Sequence, residues 1–155
     1  DNMKKERKLS LWERYLTKEI GIEFKACLYF YAILFFYCIF WLINGRFHAG
    51  IMHMAEMILS CYAIGYAQVF LFWNFDEADQ LRWKEMIGMV ICTALYCLIS
   101  YFCGWFDKQL LITALFAAYI LFAYICVFYI YKSKRTIDDK KLNEELRLFQ
   151  TEHKK

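Results

Sequence analysis

Charge is missing from four long stretches of this 155-residue sequence, although 23% of its residues are charged. The charge-free stretches lie between Lys25 and Arg46, between Glu56 and Asp76, between Glu85 and Asp107, and between Lys108 and Lys132. Each holds about 20 residues, which is the length that a helix needs to cross the hydrocarbon core of a membrane. Four such stretches exclude an ordinary soluble domain and predict a protein with four transmembrane helices.

The signatures of catalysis, of metal binding and of a disulfide framework are missing as well. With only six glycines, the chain has no glycine-rich phosphate loop, and it contains neither HExxH nor GxSxG. Its seven cysteines include no CxxC pair, and all of them fall in the predicted spans rather than in watery loops. We therefore expect no enzyme and no cofactor, and we interpret the cysteines as small apolar residues of the helices.

The charge pattern divides the chain into three parts. An amphipathic cytoplasmic segment, 1–25, precedes a transmembrane domain, 26–131, and a charged helical tail, 132–155, follows it. The spans are predicted at about 26–43, 51–75, 86–106 and 109–131. The expected fold class is all-α: a polytopic membrane protein in which a four-transmembrane-helix bundle carries an N-terminal amphipathic helix and a C-terminal cytoplasmic helix.

Positive charge is unequally distributed among the segments outside the spans. Of the 19 Lys and Arg residues, only Arg46 and Lys108 lie in the two loops that four spans would place together on one side. Cytoplasmic segments of membrane proteins carry the excess of Lys and Arg. The pattern predicts a multi-pass protein of the plasma (inner) membrane, with both termini and the middle loop in the cytoplasm.

The N-terminal segment carries the signals of a helix start. Ser10 is followed three residues later by Glu13, which is a capping-box pattern. Apolar residues then recur at helical spacing among the charges, at Leu9, Trp12, Leu16 and Ile20. A basic helix with a tryptophan on its apolar side is typical of the membrane interface, and packing on a cytoplasmic protein is the alternative.

The middle loop and the tail combine charge with large apolar side chains. In the loop NFDEADQLRWKE, Asp76 or Asp79 is expected to cap a short helix before the third span, and Trp83 stands among the charges. In the tail, Leu142, Leu146 and Phe149 form one apolar stripe on a helix. Such anchors are typical of docking sites, so the candidate partner-binding residues are Asp76, Glu77, Asp79, Arg82, Trp83, Leu142, Leu146 and Phe149. The stripe is expected to pack on a partner or a second copy of the chain, or else on the N-terminal helix.

The stretch HAGIMHMAEM, residues 48–57, contains Glu56, the only acid within a predicted span, and His53 three residues before it. On a helix they share a face, within a stripe of polar and small residues formed by His53, Glu56, Ser60, Ala63 and Ala67. A metal site needs more ligands than His48, His53 and Glu56 supply. We interpret His53, Glu56 and Ser60 as intramembrane polar contacts between helices; a small transporter or metal-handling protein that uses the His53/Glu56 region is the alternative.

From about Met57 to Leu148 the chain resembles a known family. The sequences FDEADQLRW after the second span, YFCGWF closing the third and FYIYKSKRTIDDKKLNEELR leaving the fourth are similar to the small four-span bacterial membrane proteins that accompany LytTR-type DNA-binding regulators. The resemblance implies a membrane-bound anti-activator that binds and sequesters a LytTR-type regulator at the membrane and so restrains transcription. The expected partners are that regulator, the lipid bilayer and, as an alternative for the tail, a second copy; no direct nucleic-acid binding is expected.

Overall fold

The computed structural model describes residues 10–154, which form four α-helices and, within that range, no β-strand. The helices are α1, Leu11–Ile43; α2, Ile51–Phe70; α3, Trp83–Cys103; and α4, Leu110–His153. A short 3-10 helix, Phe75–Glu77, lies between α2 and α3. The all-α class predicted from the sequence is confirmed; Leu9 of the predicted N-terminal stripe lies outside the described residues.

Three of these helices, α1, α3 and α4, are long and apolar enough to cross a membrane. Helix α2 has 20 residues, but His53, Glu56 and Gln68 lower its hydropathy. It is therefore not among the helices that qualify by length and composition. Residues 10–154 thus contain three candidate membrane-spanning helices, and the fourth predicted span, α2, stays a prediction.

Helices α1 and α4 are longer than the spans predicted for them. They contain 33 and 44 residues, which corresponds to about 50 Å and 66 Å at 1.5 Å per residue. No helix boundary falls at 25/26 or at 131/132, so the N-terminal segment from Leu11 and the tail continue α1 and α4 without a break. The predicted capping box does begin α1: the Ser10 hydroxyl accepts from the Glu13 amide at 3.1 Å, and the Glu13 carboxylate accepts from the Ser10 amide at 3.2 Å.

The chain divides into two compact units, the first ending at Ala67 and the second beginning at Gln68. In the first unit, α1 turns into the next segment at Asn44 and Gly45, where Gly45 has φ +79° and the Asn44 side-chain amide donates to the Phe40 carbonyl at 2.7 Å. Helix α2 then runs back along α1. The Tyr66 hydroxyl donates to the Glu19 carboxylate near one end of the pair, and the rings of Tyr37 and His53 lie 5.9 Å apart near the other.

In the second unit, α3 and α4 form an antiparallel hairpin. The turn uses left-handed backbone conformations at Gly104, Asp107 and Lys108, and the Phe106 and Phe116 rings lie 5.2 Å apart just beyond it. Towards the other end of the hairpin, Phe75 of the 3-10 helix is fully buried and meets Tyr124 of α4 edge to face at 5.0 Å. The loop after α2 is thereby anchored to the hairpin by an aromatic side chain.

The close approach of this loop to α3 depends on Gly88. A Cβ atom at Gly88 would lie 3.1 Å from Cδ1 of Phe75 and 3.3 Å from Cβ of Phe72. We expect Gly88→Leu to lower the free energy of unfolding by about 1–3 kcal/mol, because overpacking displaces the buried Phe75. Thermal unfolding of the purified protein in detergent measures the effect.

Gly21 of α1 provides the matched control, because a Cβ atom there meets nothing within 4 Å. Gly21→Leu should leave the protein as stable or raise its stability by roughly 0.5–1 kcal/mol, since leucine favours a helix more than glycine does. Equal loss of stability in the two variants would contradict the proposed role of Gly88.

Candidate functional site

The loop between α2 and α3 is built by two consecutive residues in the left-handed conformation, Trp73 with φ 58° and Asn74 with φ 51°. The Asn74 side-chain amide donates to the Glu77 carboxylate, which closes the loop around the 3-10 helix. The Lys84 ammonium lies 4.8 Å from the centre of the Trp73 ring, within the range of a cation–π interaction. The loop is thus a structured element with its own internal contacts.

Asp76 does not belong to the surface of this loop. It was predicted to contact a partner, but it is buried with 0% of its surface exposed, next to the buried Phe75. The 3-10 helix turns both side chains inward, so a charged residue in a loop has become part of the interior. A fully buried carboxylate offers no surface to a partner, so the prediction that Asp76 contacts one is wrong.

Arg135 of α4 fixes the loop to the beginning of the tail. One terminal nitrogen, Nη1, donates to the Glu77 carbonyl at 3.0 Å and to the Asp79 carboxylate at 2.7 Å, while Nη2 donates to the Ala78 carbonyl at 3.0 Å. A planar guanidinium can serve several acceptors at once in this way. We call this arrangement, Arg135 with Glu77, Ala78 and Asp79, the loop clamp.

The clamp explains why neither predicted aspartate caps the next helix. Asp79 is committed to Arg135, and Asp76 is buried one turn earlier. The N-cap residue of α3 is Arg82, whose backbone amide donates to the Glu85 carboxylate at 3.1 Å. The short helix before α3, Phe75–Glu77, has Asn74 as its N-cap residue, contains Asp76 and ends before Asp79. The prediction that Asp76 or Asp79 caps this short helix is therefore wrong.

The remaining candidate partner-binding residues are accessible to different degrees. Asp79, Arg82 and Trp83 are exposed, Trp83 to 81%, whereas Glu77 is partly buried. In the tail, Leu142, Leu146 and Phe149 are 64%, 53% and 56% exposed. We call these three residues the tail stripe. The structure therefore presents a loop that is hydrogen-bonded to α4 and carries an exposed tryptophan, and, on a continuous helix, an exposed apolar stripe.

Arg135 was missed as a site residue by the sequence analysis, in which it counted only as one positive charge of the tail. Its partners lie 56 to 58 residues earlier in the chain, so no local spacing pointed to them. The middle loop and the tail were predicted as separate docking elements. The loop clamp joins them, because the guanidinium of Arg135 in the tail bonds three residues of the loop.

We expect Arg135→Lys to loosen the loop without removing the positive charge. A lysine ammonium cannot reproduce the fork that serves two carbonyls and one carboxylate. Loss of these bonds should raise the hydrogen-exchange rates of the Glu77 and Ala78 amides, which bond within the loop, by about tenfold. Hydrogen–deuterium exchange with mass spectrometry of the purified protein measures this.

Arg147→Lys is the control for that experiment, since Arg147 is an exposed arginine of the same helix. It should leave exchange in the loop unchanged. If Arg135→Lys left the loop equally well protected, the clamp would not be what orders the loop.

The second predicted site, in α2, is a close pair rather than a cluster. Nδ1 of His53 lies 3.4 Å from Oε2 of Glu56 but makes no hydrogen bond, and both side chains are a little more than a quarter exposed. The Ser60 hydroxyl donates to the main-chain carbonyl of Glu56 at 2.6 Å. The expected proximity of His53 to Glu56 is thus present, and the Ser60 hydroxyl bonds the backbone of Glu56.

The stripe of small residues predicted along α2 has the wrong phase. Ala63 is exposed and Ala67 is only partly buried, whereas Met57, Cys61 and Ile64 are at most 3% exposed. Ser60 does lie on the buried side. The buried side of α2 is thus rotated from the predicted stripe, although it too includes small and polar residues, namely Ser60, Cys61, Gly65 and Gln68.

No group of three or more His, Cys, Asp or Glu side chains in residues 10–154 is arranged to hold a metal ion. His48 is exposed in the segment before α2, outside the His53/Glu56 pair. What this region offers chemically is one imidazole beside one carboxylate.

Comparison with protein families, with characterised proteins and with solved structures finds no match to this chain.

Proposed function

We propose that this protein is a membrane-bound regulator that binds a LytTR-type DNA-binding regulator at the cytoplasmic face of the membrane and thereby restrains transcription. The proposal combines the resemblance of residues 57–148 with the arrangement of the loop and the tail. Holding a DNA-binding protein at the membrane lowers its concentration at DNA, so no catalytic step is required.

The observation that carries the proposal is the uncovered tail stripe. Helix α4 continues for about 30 Å beyond Tyr131 at 1.5 Å per residue. Over that length it carries the tail stripe, in which each of the three side chains is more than half exposed. On a helix that stays in water, such a stripe buries no apolar surface and adds no stability. A helix that docks into a groove, by contrast, uses apolar anchors at i, i+4 and i+7. The tail is thus suited to bind another protein.

The loop clamp supports the same proposal. It fixes the loop of Trp83 and Asp79 to the first turns of the tail through Arg135. A partner that binds the tail then meets a preorganised loop, and preorganisation lowers the entropic cost of binding. Trp83, at 81% exposure, is the best single candidate for a hot spot.

Co-purification tests this function directly. The chain, carrying an affinity tag and expressed at its native level, is isolated from membranes, and the proteins that accompany it are identified by mass spectrometry. We expect a LytTR-type regulator to be enriched, and enrichment to be lost in a variant truncated after Lys141. Recovery of the tagged chain without any LytTR-type regulator would overturn the proposal.

The proposal also requires a particular topology. If α3 and α4 both cross the membrane, the loop and the tail face the same compartment. For the N-terminus to face that compartment as well, α2 must cross in addition to α1. The distribution of Lys and Arg favours this arrangement, with both termini in the cytoplasm of the plasma membrane.

Reporter fusions at four positions are expected to alternate. Fusions after Phe47 and Lys108 should report the outside, and fusions after Ala78 and at the C-terminus should report the cytoplasm, as measured with paired alkaline phosphatase and fluorescent-protein reporters. If α2 does not cross, the fusions after Phe47 and Ala78 will report the same side. The loop and the N-terminus would then lie on opposite sides of the membrane, which would contradict four spans.

A further inference from the structure

The turn that follows α1 has the hydrogen bonds of a Schellman motif. The Gly45 amide donates to the Leu42 carbonyl at 3.1 Å, and the Arg46 amide donates to the Trp41 carbonyl at 2.9 Å, with Gly45 in the left-handed conformation. The two outer residues of this motif commonly make an apolar contact. Here that contact is a cation–π interaction, because the Arg46 guanidinium lies 4.7 Å from the centre of the Trp41 ring. The backbone and the ring together therefore fix the position of Arg46 beside the last turn of α1.

Residues 46–49 and the end of α1 enclose a cavity of about 180 Å³. It is lined by the rings of Tyr37, Trp41 and Phe47, by Arg46 and His48, and by smaller apolar side chains, and is named here the turn cavity. Tyr37 and Trp41 are buried, whereas Phe47, Arg46 and His48 are exposed. All of these residues belong to the first compact unit. The turn cavity thus has a closed aromatic wall on α1 and an accessible side that carries the polar groups.

The size and the walls of the turn cavity suit a single aromatic ring. An apolar cavity of about 150 Å³ holds benzene, so this cavity has room for one six-membered ring with a small substituent. A drug-sized ligand needs a site of roughly 300 Å³ or more. The aromatic side chains of the wall can contact such a ring face to face or edge to face.

The polar groups of the turn cavity favour an anion. Both ionisable nitrogen side chains, Arg46 and His48, are bases, and no Asp or Glu is among the described residues that line it; Glu56 lies outside the lining. A guanidinium can bind a carboxylate through two parallel hydrogen bonds, and Arg46 is held by a ring and not by a carboxylate. The negative end of α1 is close by, but its last carbonyls accept hydrogen bonds within the turn, which reduces the repulsion of an anion.

We infer that the turn cavity is a binding site for a small aromatic carboxylate. The ring of the ligand lies against Tyr37 and Trp41, and its carboxylate accepts hydrogen bonds from the Arg46 guanidinium. The site goes beyond the proposed function, because it uses neither the loop clamp nor the tail stripe and does not require the regulator. It also differs from the His53/Glu56 pair, neither member of which lines the cavity.

The test uses the full-length protein in nanodiscs of phosphatidylcholine, with empty nanodiscs as the blank. The probes are para-fluorobenzoate and para-fluorobenzamide, which share the fluorinated ring and differ in charge. Fluorine NMR relaxation of each probe measures its binding. We expect the benzoate to bind about tenfold more tightly than the benzamide, which is the range of a hydrogen bond to a charged group.

Three variants separate the charge of the site from its shape. Arg46→Gln should weaken binding of the benzoate about tenfold and leave binding of the benzamide unchanged, which also reports that the cavity is still formed. Arg14→Gln, the same substitution at an exposed arginine near the other end of α1, should change neither. Ala49→Phe places a ring in the cavity and should weaken both probes at least tenfold, since the filled space no longer admits them.

Several results would overturn the inference. One is equal affinity of the wild-type protein for the two probes, which needs no variant to interpret. Others are equal loss of both probes in an Arg46→Gln protein whose thermal unfolding is unchanged, and unaltered binding in Ala49→Phe. Binding no greater than to empty nanodiscs would show that the cavity admits lipid or nothing, and would overturn it as well. The proposed function is tested by regulator binding and stands or falls separately.

Discussion

Replacing Leu142, Leu146 and Phe149 together with alanine is expected to weaken binding of the regulator by roughly two to three orders of magnitude. Burying a large apolar side chain completely contributes about 1.5–3 kcal/mol, and somewhat more than half of each of these side chains is exposed and available for burial. The sum over three residues therefore corresponds to roughly 3–5 kcal/mol, at 1.4 kcal/mol for each tenfold change. Titration of the regulator against the protein in nanodiscs measures the change.

Alanine is the right replacement because it is the best helix former, so the tail should stay helical. The control is a variant in which Ile137 and Leu148 are replaced instead. These residues are 52% and 54% exposed but lie off the stripe, so binding should change little. A fall in thermal stability with unchanged binding in the triple variant would show that the stripe serves the protein's own folding.

Local sequence predicted the parts of the fold that depend on local chemistry. Ser10 and Glu13 form the expected capping box, because the bonds join residues three apart. The turn at Asn44 and Gly45 also depends on local chemistry, since glycine readily adopts the positive φ found at Gly45. The helical class followed from the length of the apolar stretches and is confirmed.

The continuity of α1 and α4 was not predicted, because the boundaries were placed where composition changes. A change from apolar to charged residues marks where a helix leaves the hydrocarbon, but it does not end the helix. Residues 132–153 are rich in Lys, Arg, Glu and Leu, which favour helices, and contain neither glycine nor proline. Once α4 has formed in the apolar part, each further residue adds a hydrogen bond without a new nucleation step.

The candidate site was only partly predictable, because tertiary contacts decide which of its charges are available. Asp79, Arg82 and Trp83 are exposed as a charged loop suggests. Asp76 is buried and Arg135 bonds the loop, and both facts depend on the packing of the 3-10 helix against α3 and α4. In α2, apolar residues occur on every side, so no periodic pattern fixes which face is buried.

Ending the chain after Lys141 is expected to abolish restraint of transcription. This truncation removes the whole tail stripe but keeps Arg135 and therefore the loop clamp, whereas ending the chain after Tyr131 removes both. If the stripe provides most of the binding, the two truncations should behave alike, each raising expression from a promoter of the regulator to the level seen without this protein. A transcriptional reporter in cells gives that readout, and immunoblotting of membranes confirms equal amounts of protein.

The same experiment separates regulation from the alternative of a small transporter or metal-handling protein. In that alternative the His53/Glu56 pair carries out the function. It therefore predicts that the protein stays functional when truncated after Lys141 and loses function in the Glu56→Gln variant. Regulation by the tail predicts the reverse: Glu56→Gln should be mild, because polar contacts between helices in membranes contribute only about 0.6–2 kcal/mol. The regulatory role of the tail would be contradicted if the truncated protein still restrained the promoter and a folded Glu56→Gln variant did not. The function would then be assigned to the His53/Glu56 pair in α2.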